Sequence, residues 1–505
     1  MSTPLKRNIL SNLAGGGWNT LLVILVTPVQ IGLLGVESYG LISLITVLQI
    51  IAGALDFGLA TTVTREVARD NGRTGADTTA LVNSAAAVYW IFAVIAAAAL
   101  WFCADAIPTR WLKVGTLSAD TVTRALELIA LFLLLRWPVA FYAGVLGGTQ
   151  RMGLLNALKS AAVTLRLLGG AALLLFKPDL LWLLDWYVAT AALELLGFMA
   201  AAIHACPGLR LIPRLNLTAI RKTSGFSTTM YTLTLLAMLL TQIDRLAIGN
   251  LLGLEALGHY SVAYTAALGL SLLQTSINSA ALPAFANAHG TGDDAALRAR
   301  YRRISELMGF VITPMALVLI FFGHDIFRVW VGATVADATQ ISLGLLAGGF
   351  LLNAVFSSSY IFAVAVGKPG LFLRANAAGL WLYLPALLIG IAGSGIAGAG
   401  AAWLLLNVYY IALVLPRAHA MLKVRGTVGY LQRTFGVFVY IGVAAFSGGW
   451  LAAHLITGIA GSIAGLGIAG GVYLGLAIKL ASPELARLIV DAPKSARHWL
   501  RRSES

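Results

Sequence analysis

Long apolar segments, separated by short polar loops, run along almost the entire chain. A membrane-spanning helix needs about 20 mostly apolar residues, and this criterion predicts about fourteen spans. They lie at residues 9–34, 39–63, 80–104, 121–147, 154–176, 181–205, 227–251, 259–288, 304–323, 339–366, 372–391, 398–415, 435–455 and 463–480. Twelve or thirteen spans also fit, because the segments 259–288 and 339–366 are long and polar in places. The pattern predicts an all-α polytopic membrane protein.

Basic residues accumulate in every second loop between these spans. The rich loops hold Arg65, Arg69, Arg73, Arg151, Arg210, Arg214, Arg221, Lys222, Arg298, Arg300, Arg302, Arg303, Lys368, Arg417, Lys423, Arg425 and Arg433. The alternate loops hold little beyond Arg110, Lys113, Lys177 and Arg328. Because Lys and Arg concentrate on the cytoplasmic side of membrane proteins, this asymmetry predicts that the rich loops and both basic termini are cytoplasmic.

A short sequence occurs twice, at the same place relative to the apolar segments. Residues 33–43 read LLGVESYGLIS and residues 251–261 read LLGLEALGHYS, a constant offset of 218 positions. Gly35 and Gly253 are suited to end a helix, since glycine tolerates a positive φ. Spans one and two therefore correspond to spans seven and eight, and an even separation makes the two repeats parallel.

This duplication predicts the organisation of the chain into two six-helix lobes around a central cavity, followed by two additional helices. The N-terminal lobe is expected at residues 1–205, a cytoplasmic linker at 206–226 and the C-terminal lobe at 227–415. The two additional transmembrane helices occupy 416–480, and 481–505 is expected to be an amphipathic basic tail on the cytoplasmic membrane surface.

Composition agrees with a membrane protein and excludes several other classes. The 505 residues are 59% hydrophobic and 11% charged, whereas soluble domains are roughly 45–50% apolar and about 25% charged. The net charge of +14 is spread over short loops rather than concentrated on one face, so no nucleic-acid partner is predicted. Cys103 and Cys206 fall near opposite membrane faces and predict no disulfide framework.

Six of the charged residues within the apolar segments are the candidate functional residues. Ionisable groups at membrane depth are costly and usually face a cavity or a partner. Arg136, Arg166 and Arg245 suit an anionic ligand, because arginine binds phosphate through planar, bidentate hydrogen bonds. Asp56, Glu194 and Asp244 are open to two interpretations: they carry a coupling ion, or they pair with the arginines and hold helices together.

Catalytic and metal-binding signatures are missing from the sequence. It has no glycine-rich phosphate loop with its lysine, and the seven histidines show no metal-ligand spacing. The longest outer loop, 105–120, is too short for a catalytic domain. The sequence therefore predicts a protein that is not an enzyme and has no cofactor, apart from a coupling proton or sodium ion.

Two stretches resemble a known transporter family. Gly32 to Arg69 reads GLLGVESYGLISLITVLQIIAGALDFGLATTVTREVAR, and Gln242 to Ala267 reads QIDRLAIGNLLGLEALGHYSVAYTAA. They are similar to the entries to the two lobes of the bacterial polysaccharide flippases. These are the Wzx-type transporters for O-antigen, capsule and exopolysaccharide of the multidrug/oligosaccharidyl-lipid/polysaccharide (MOP) exporter superfamily.

The resemblance implies a carrier of the bacterial inner membrane that works by alternating access. Its cargo would be an oligosaccharide repeat unit on undecaprenyl pyrophosphate, moved from the cytoplasmic to the periplasmic leaflet and coupled to an ion gradient. Cavity cations would bind the pyrophosphate, a role that suits Arg136, Arg166 and Arg245. A polysaccharide polymerase and a chain-length regulator are the implied partners. The alternatives are a drug/cation antiporter or peptidoglycan-precursor flippase of the same superfamily, or an integral-membrane glycosyltransferase or polymerase.

Overall fold

The structure is a computed structural model that describes residues 3–54, 58–69, 76–210, 216, 228–456, 458–483 and 485–486. Its helices are α1 Thr3–Ala54, α2 Leu59–Arg69, α3 Ala76–Cys103, α4 Ala106–Arg110, α5 Ala119–Gly148, α6 Met152–Phe176, α7 Leu180–Ala205, α8 Thr228–Leu251, α9 Leu254–Gly290, α10 Asp294–Trp330, α11 Ala333–Ala365, α12 Gly370–Tyr409, α13 Leu415–Met421, α14 Thr427–Leu431, α15 Val437–Ala453 and α16 Ile459–Leu480. π-helical turns at Tyr410–Val414 and Gln432–Gly436 join α12 to α13 and α14 to α15. The described residues contain no β-strand, which confirms the all-α fold.

The number of membrane-length helices in these ranges agrees with the prediction of fourteen. Eleven helical segments are long and apolar enough to cross a membrane. Two of them are each two helices, because α1 breaks at Gly35 and α12 breaks at Ser394 and Gly395. Helix α9, with 37 residues, supplies the remaining one. The cytoplasmic location of the termini stays a prediction.

Two helix boundaries differ from the predicted spans. The predicted span 39–63 is interrupted at Gly58, whose φ of 74° is not helical, and α2 begins at Leu59. The predicted loop 289–303 is mostly helical, because α10 already begins at Asp294. The Asp293 carboxylate caps that helix by accepting a hydrogen bond from the Ala296 backbone N–H, 2.8 Å away. Most of the predicted linker 206–226 and of the predicted tail 481–505 lies outside the described residues.

The chain divides into two compact units, Met1–Ser261 and Val262–Ser505. In the first unit, α5 packs against α3 and α7, and α1 packs against α6. Tyr89, Phe141, Tyr142 and Phe198 form part of the buried core between α3, α5 and α7. The predicted lobe boundaries stay a prediction.

In the second unit, α10 packs against α11 and α15, and α15 and α16 form a tight helical hairpin. The backbones of α15 and α16 meet at Gly449 and Gly465, where an added Cβ on either residue would overlap the backbone oxygen of the other. Small residues permit this close approach of membrane helices. The two helices of the hairpin are therefore in close backbone contact at these glycines.

The two copies of the repeated sequence contact each other within the first unit. Gly35 and Gly253 have positive φ angles of 81° and 102°, which confirms that glycine ends a helix in both copies. An added Cβ at Gly40 would overlap the Leu254 carbonyl, and one at Gly258 would overlap the Val36 carbonyl. The helices that follow the two turns thus pack backbone to backbone.

The loop of residues 111–117, which we call the strap, connects both repeated turns. The Glu37 carboxylate accepts hydrogen bonds from the backbone N–H groups of Gly115 (2.6 Å) and Thr116 (2.7 Å). On the other turn, Lys113 Nζ donates to the Leu251 carbonyl at 2.7 Å. Further bonds are donated by the Leu254 backbone N–H to the Lys113 carbonyl (3.1 Å) and by the Asn250 side-chain amide to the Trp111 carbonyl (2.7 Å). The strap therefore fixes the two turns relative to each other.

Candidate substrate-binding site

Three of the six predicted residues meet where α5, α6 and α7 pack together. Glu194 Oε2 lies 3.2 Å from Arg136 Nε and 2.5 Å from an Arg166 guanidinium nitrogen. The side chain of Glu194 is only 1% exposed. One buried carboxylate is therefore shared by two guanidinium groups, and we call these three residues the charge cluster.

Arg166 is the more rigidly held of the two arginines. Its side chain is 9% exposed, and its Nε donates to the Thr190 hydroxyl at 3.3 Å. The guanidinium carbon also lies 5.1 Å from the centre of the Phe132 ring, a cation–π distance. These contacts fix Arg166 between α5, α6 and α7, so its main effect on a ligand would be electrostatic.

Arg136 is held less tightly and borders an open space. Its side chain is 27% exposed and lines a cavity of about 240 Å³ together with Gln49, Tyr89 and Trp137. Trp137 is buried, and its indole N–H has no hydrogen-bond partner in the described part of the chain. Arg136 and Trp137 therefore provide hydrogen-bond donors to any acceptor that enters the cavity.

The charge cluster has an excess of positive charge. Two guanidinium groups face one carboxylate, and Lys159 interacts electrostatically with both Arg136 and Glu194. The second carboxylate oxygen, Glu194 Oε1, has no hydrogen-bond partner among the described residues. Like-charged groups at this depth are unfavourable unless an anion compensates them. The arrangement is therefore suited to binding an anion.

Asp244 and Arg245 form a second buried group, on α8. Asp244 is fully buried; its carboxylate accepts hydrogen bonds from the Tyr260 hydroxyl (2.6 Å) and from the Arg245 backbone N–H (2.8 Å). Arg245 is also buried. Asp56 lies outside the described residues. The roles of all six residues in binding or coupling stay predictions.

Gln49, Tyr89 and Trp137 were not singled out from the sequence, although they line the cavity beside Arg136. A signal was present in two cases. Trp137 directly follows the buried Arg136, and Gln49 is an amide within an apolar segment. Tyr89 gave no such signal, since one aromatic residue in an apolar helix is ordinarily part of the core.

The fold is similar to those of known membrane transporters. The lipid II flippase MurJ, in an inward closed conformation, superimposes with a TM-score of 0.71 at 12% identity, covering 93% of this chain and 98% of that one. A multidrug resistance MATE family transporter of the MOP superfamily, in an inward-facing conformation, gives a TM-score of 0.64 at 13% identity, covering 84% and 97%. These similarities show that the chain has the fold that the two transporters share.

Sequence comparison defines the family more closely. A family model described as "Polysaccharide biosynthesis protein" matches residues 5–289, more than half of the chain, so the protein belongs to this family. The MatE model matches residues 232–389. A Shigella flexneri protein named "Putative O-antigen transporter" is 22% identical over 412 residues, which is 79% of this chain and 93% of that protein. These relatives are transporters and flippases, which confirms the prediction of a transporter rather than an enzyme.

Proposed function

We propose that the protein flips an oligosaccharide linked to a polyprenyl pyrophosphate across the bacterial inner membrane, from the cytoplasmic to the periplasmic leaflet. The observation that carries this proposal is the charge cluster, in which Arg136 shares Glu194 with Arg166 and lines a cavity. The family description and the O-antigen transporter relative support a polysaccharide precursor as cargo.

The chemistry of the cluster suits a pyrophosphate. Arginine forms two parallel hydrogen bonds to phosphate oxygens and keeps its charge when buried. Because Arg166 stays paired with Glu194 Oε2, Arg136 can exchange that shared carboxylate for a phosphate. The bound anion would also offset the excess positive charge around Glu194.

Coupling to an ion gradient requires a group that changes its charge state during transport. Asp244 is the best candidate in the described part of the chain, because it is fully buried, accepts hydrogen bonds from the Tyr260 hydroxyl and a backbone N–H, and interacts electrostatically with one arginine, Arg245. A proton or a sodium ion bound at this carboxylate would neutralise it. Glu194 is less suited, since it already balances two arginines.

A second candidate function is drug or cation antiport, which the MatE match over residues 232–389 favours. The similarity to MurJ raises a peptidoglycan precursor as another cargo of the same chemical class. The charge cluster discriminates between cationic and anionic substrates. Its excess of positive charge repels a cationic drug and attracts a pyrophosphate.

The deciding experiment compares variants in a strain that lacks this protein. With wild type restored, surface polysaccharide should be made. With Arg136→Ala, the lipid-linked oligosaccharide should accumulate on the cytoplasmic leaflet. Arg124→Ala is the matched control, because Arg124 lies on the same helix in an exposed pair with Glu127. An unchanged lipid-linked pool in the deletion strain, together with increased sensitivity to cationic dyes, would instead support drug export.

A further inference from the structure

A second cavity lies in the unit Val262–Ser505, where α10 ends and the α15–α16 hairpin turns. Its volume is about 610 Å³, within the range of roughly 300–1,000 Å³ typical of small-molecule sites. Its polar lining consists of Asp325 and Arg328 from α10, His454 from the hairpin turn and Ser462 from α16. These residues belong to helix ends, where a membrane helix reaches the headgroup region.

The two opposite charges in this cavity are not neutralised by each other. Asp325 and Arg328 are three residues apart on α10, a spacing at which opposite charges commonly pair. Asp325 instead accepts a hydrogen bond from the Ser462 hydroxyl at 2.7 Å, and its other carboxylate oxygen lies 3.6 Å from His324 Nδ1. Arg328 has no ion-pair partner in the described part of the chain. The cavity therefore presents a separate anionic and cationic group.

His454 adds a hydrogen-bond acceptor to the anionic side. Its Nδ1 donates to the Trp450 carbonyl at 2.8 Å, so in the neutral imidazole Nε2 is the acceptor. The His454 and Trp450 rings are 4.1 Å apart, which holds the imidazole in this orientation. A ligand group with several N–H donors can therefore bind to Asp325 and His454 together.

The surroundings of the cavity are apolar. Val329 and Ile459, both lining it, are 63% and 60% exposed, and Leu455 in the same turn is 87% exposed. Trp330 and Trp450 lie at the same helix ends, as expected of aromatic residues at a membrane–water interface. The hairpin carries most of the lining, and its two helices are in close backbone contact at Gly449 and Gly465.

We propose that this cavity binds the headgroup of a zwitterionic phospholipid that has a primary ammonium group, as phosphoethanolamine does. The ammonium donates hydrogen bonds to Asp325 and to His454 Nε2, the phosphate accepts from Arg328, and the acyl chains lie along Val329, Leu455 and Ile459. A choline headgroup has no N–H to donate. An anionic glycerol headgroup places hydroxyls rather than a cation at Asp325.

The test uses the purified full-length protein in detergent with phospholipids of identical acyl chains. Bound lipid is counted by native mass spectrometry, and the unfolding temperature is measured with each lipid. Because hydrogen bonds to charged groups contribute about 1.5–3 kcal/mol, wild type should prefer ethanolamine over choline lipid by about tenfold or more. Equal affinity for the two lipids, or tighter binding of the glycerol lipid, would overturn the proposal.

Variants assign the two contacts separately. Asp325→Asn should abolish the preference for ethanolamine over choline, whereas Arg328→Gln should weaken both lipids alike by removing the phosphate contact. Arg328 is exposed, so its replacement tests the site even when Asp325→Asn is unstable. Arg110→Gln, an exposed arginine at the end of α4, is the control and should leave lipid binding unchanged. Retained discrimination in Asp325→Asn would contradict the assignment.

Discussion

The hydroxyl of Ser261 donates a hydrogen bond to the hydroxyl of Ser43 at 2.9 Å, and these two buried residues occupy the same position in the two copies of the repeated sequence. Gly40 and Gly258 occupy equivalent positions in the two copies, as do Val36 and Leu254. Gly40 of the first copy contacts Leu254 of the second, and Gly258 of the second contacts Val36 of the first. Such reciprocal contacts are the mark of a two-fold relationship between two like surfaces. The duplication inferred from eleven residues therefore has a structural counterpart.

Replacement of Gly40 by alanine should disrupt this contact, because the added Cβ would overlap the Leu254 backbone. Overpacking of this kind costs about 1–3 kcal/mol, so the unfolding temperature should fall. Gly32→Ala, in the half of α1 that precedes the break at Gly35, is the control, since a Cβ there has no heavy atom within 4 Å. Equal unfolding temperatures for the two variants would show that the close approach does not contribute to stability.

A disulfide between Ser43→Cys and Ser261→Cys should lock the two repeats together. The hydroxyl oxygens are 2.9 Å apart, which places the two side chains within reach of a disulfide. In a carrier that works by alternating access the repeats must move relative to each other, so oxidation should stop transport and reduction should restore it. Cys103 and Cys206 are replaced by alanine beforehand. Full transport by completely cross-linked protein would show that this contact does not open.

Glu37→Gln should destabilise the strap, because a charged acceptor that is bonded to Gly115 and Thr116 becomes a neutral one. Hydrogen bonds to charged groups contribute about 1.5–3 kcal/mol, and we expect a loss of that order in thermal unfolding. The repeat provides a matched control: Glu255 is equivalent to Glu37 but is exposed, so Glu255→Gln should have little effect. Comparable losses in both variants would argue against a specific role for the strap.

The sequence predicted the fold well and the site only in part, for identifiable physical reasons. The number of membrane spans followed from the lengths of the apolar segments. The helix breaks at Gly35 and Gly253 followed from the backbone freedom of glycine. The sequence could not predict that Arg136 and Arg166 both contact Glu194, because this arrangement depends on how α5, α6 and α7 pack together. The strap was not predicted, because its hydrogen bonds at Leu251 and Leu254 involve backbone groups, which every residue type has.

Removal of the shared carboxylate should be more harmful to stability than removal of Arg136. Glu194→Gln leaves two guanidinium groups without their counter-charge, and an unpaired buried charge costs about 3–5 kcal/mol. Arg136→Gln leaves the Arg166–Glu194 pair intact, so its effect should fall mainly on transport. Thermal unfolding measured beside transport separates the two effects. A larger loss of stability in Arg136→Gln would contradict this interpretation of the cluster.

Asp244→Asn should abolish the dependence of transport on pH or sodium while preserving the fold. The asparagine carbonyl can still accept the hydrogen bond from Tyr260, but the side chain can no longer release a proton or bind a cation. Tyr260→Phe is the paired control, because it removes the hydroxyl and keeps the carboxylate, so coupling should persist there. Transport is measured in vesicles with imposed proton or sodium gradients. A gradient response that survives in Asp244→Asn would remove Asp244 from the coupling mechanism and leave its bond to Tyr260 as a contact between α8 and α9.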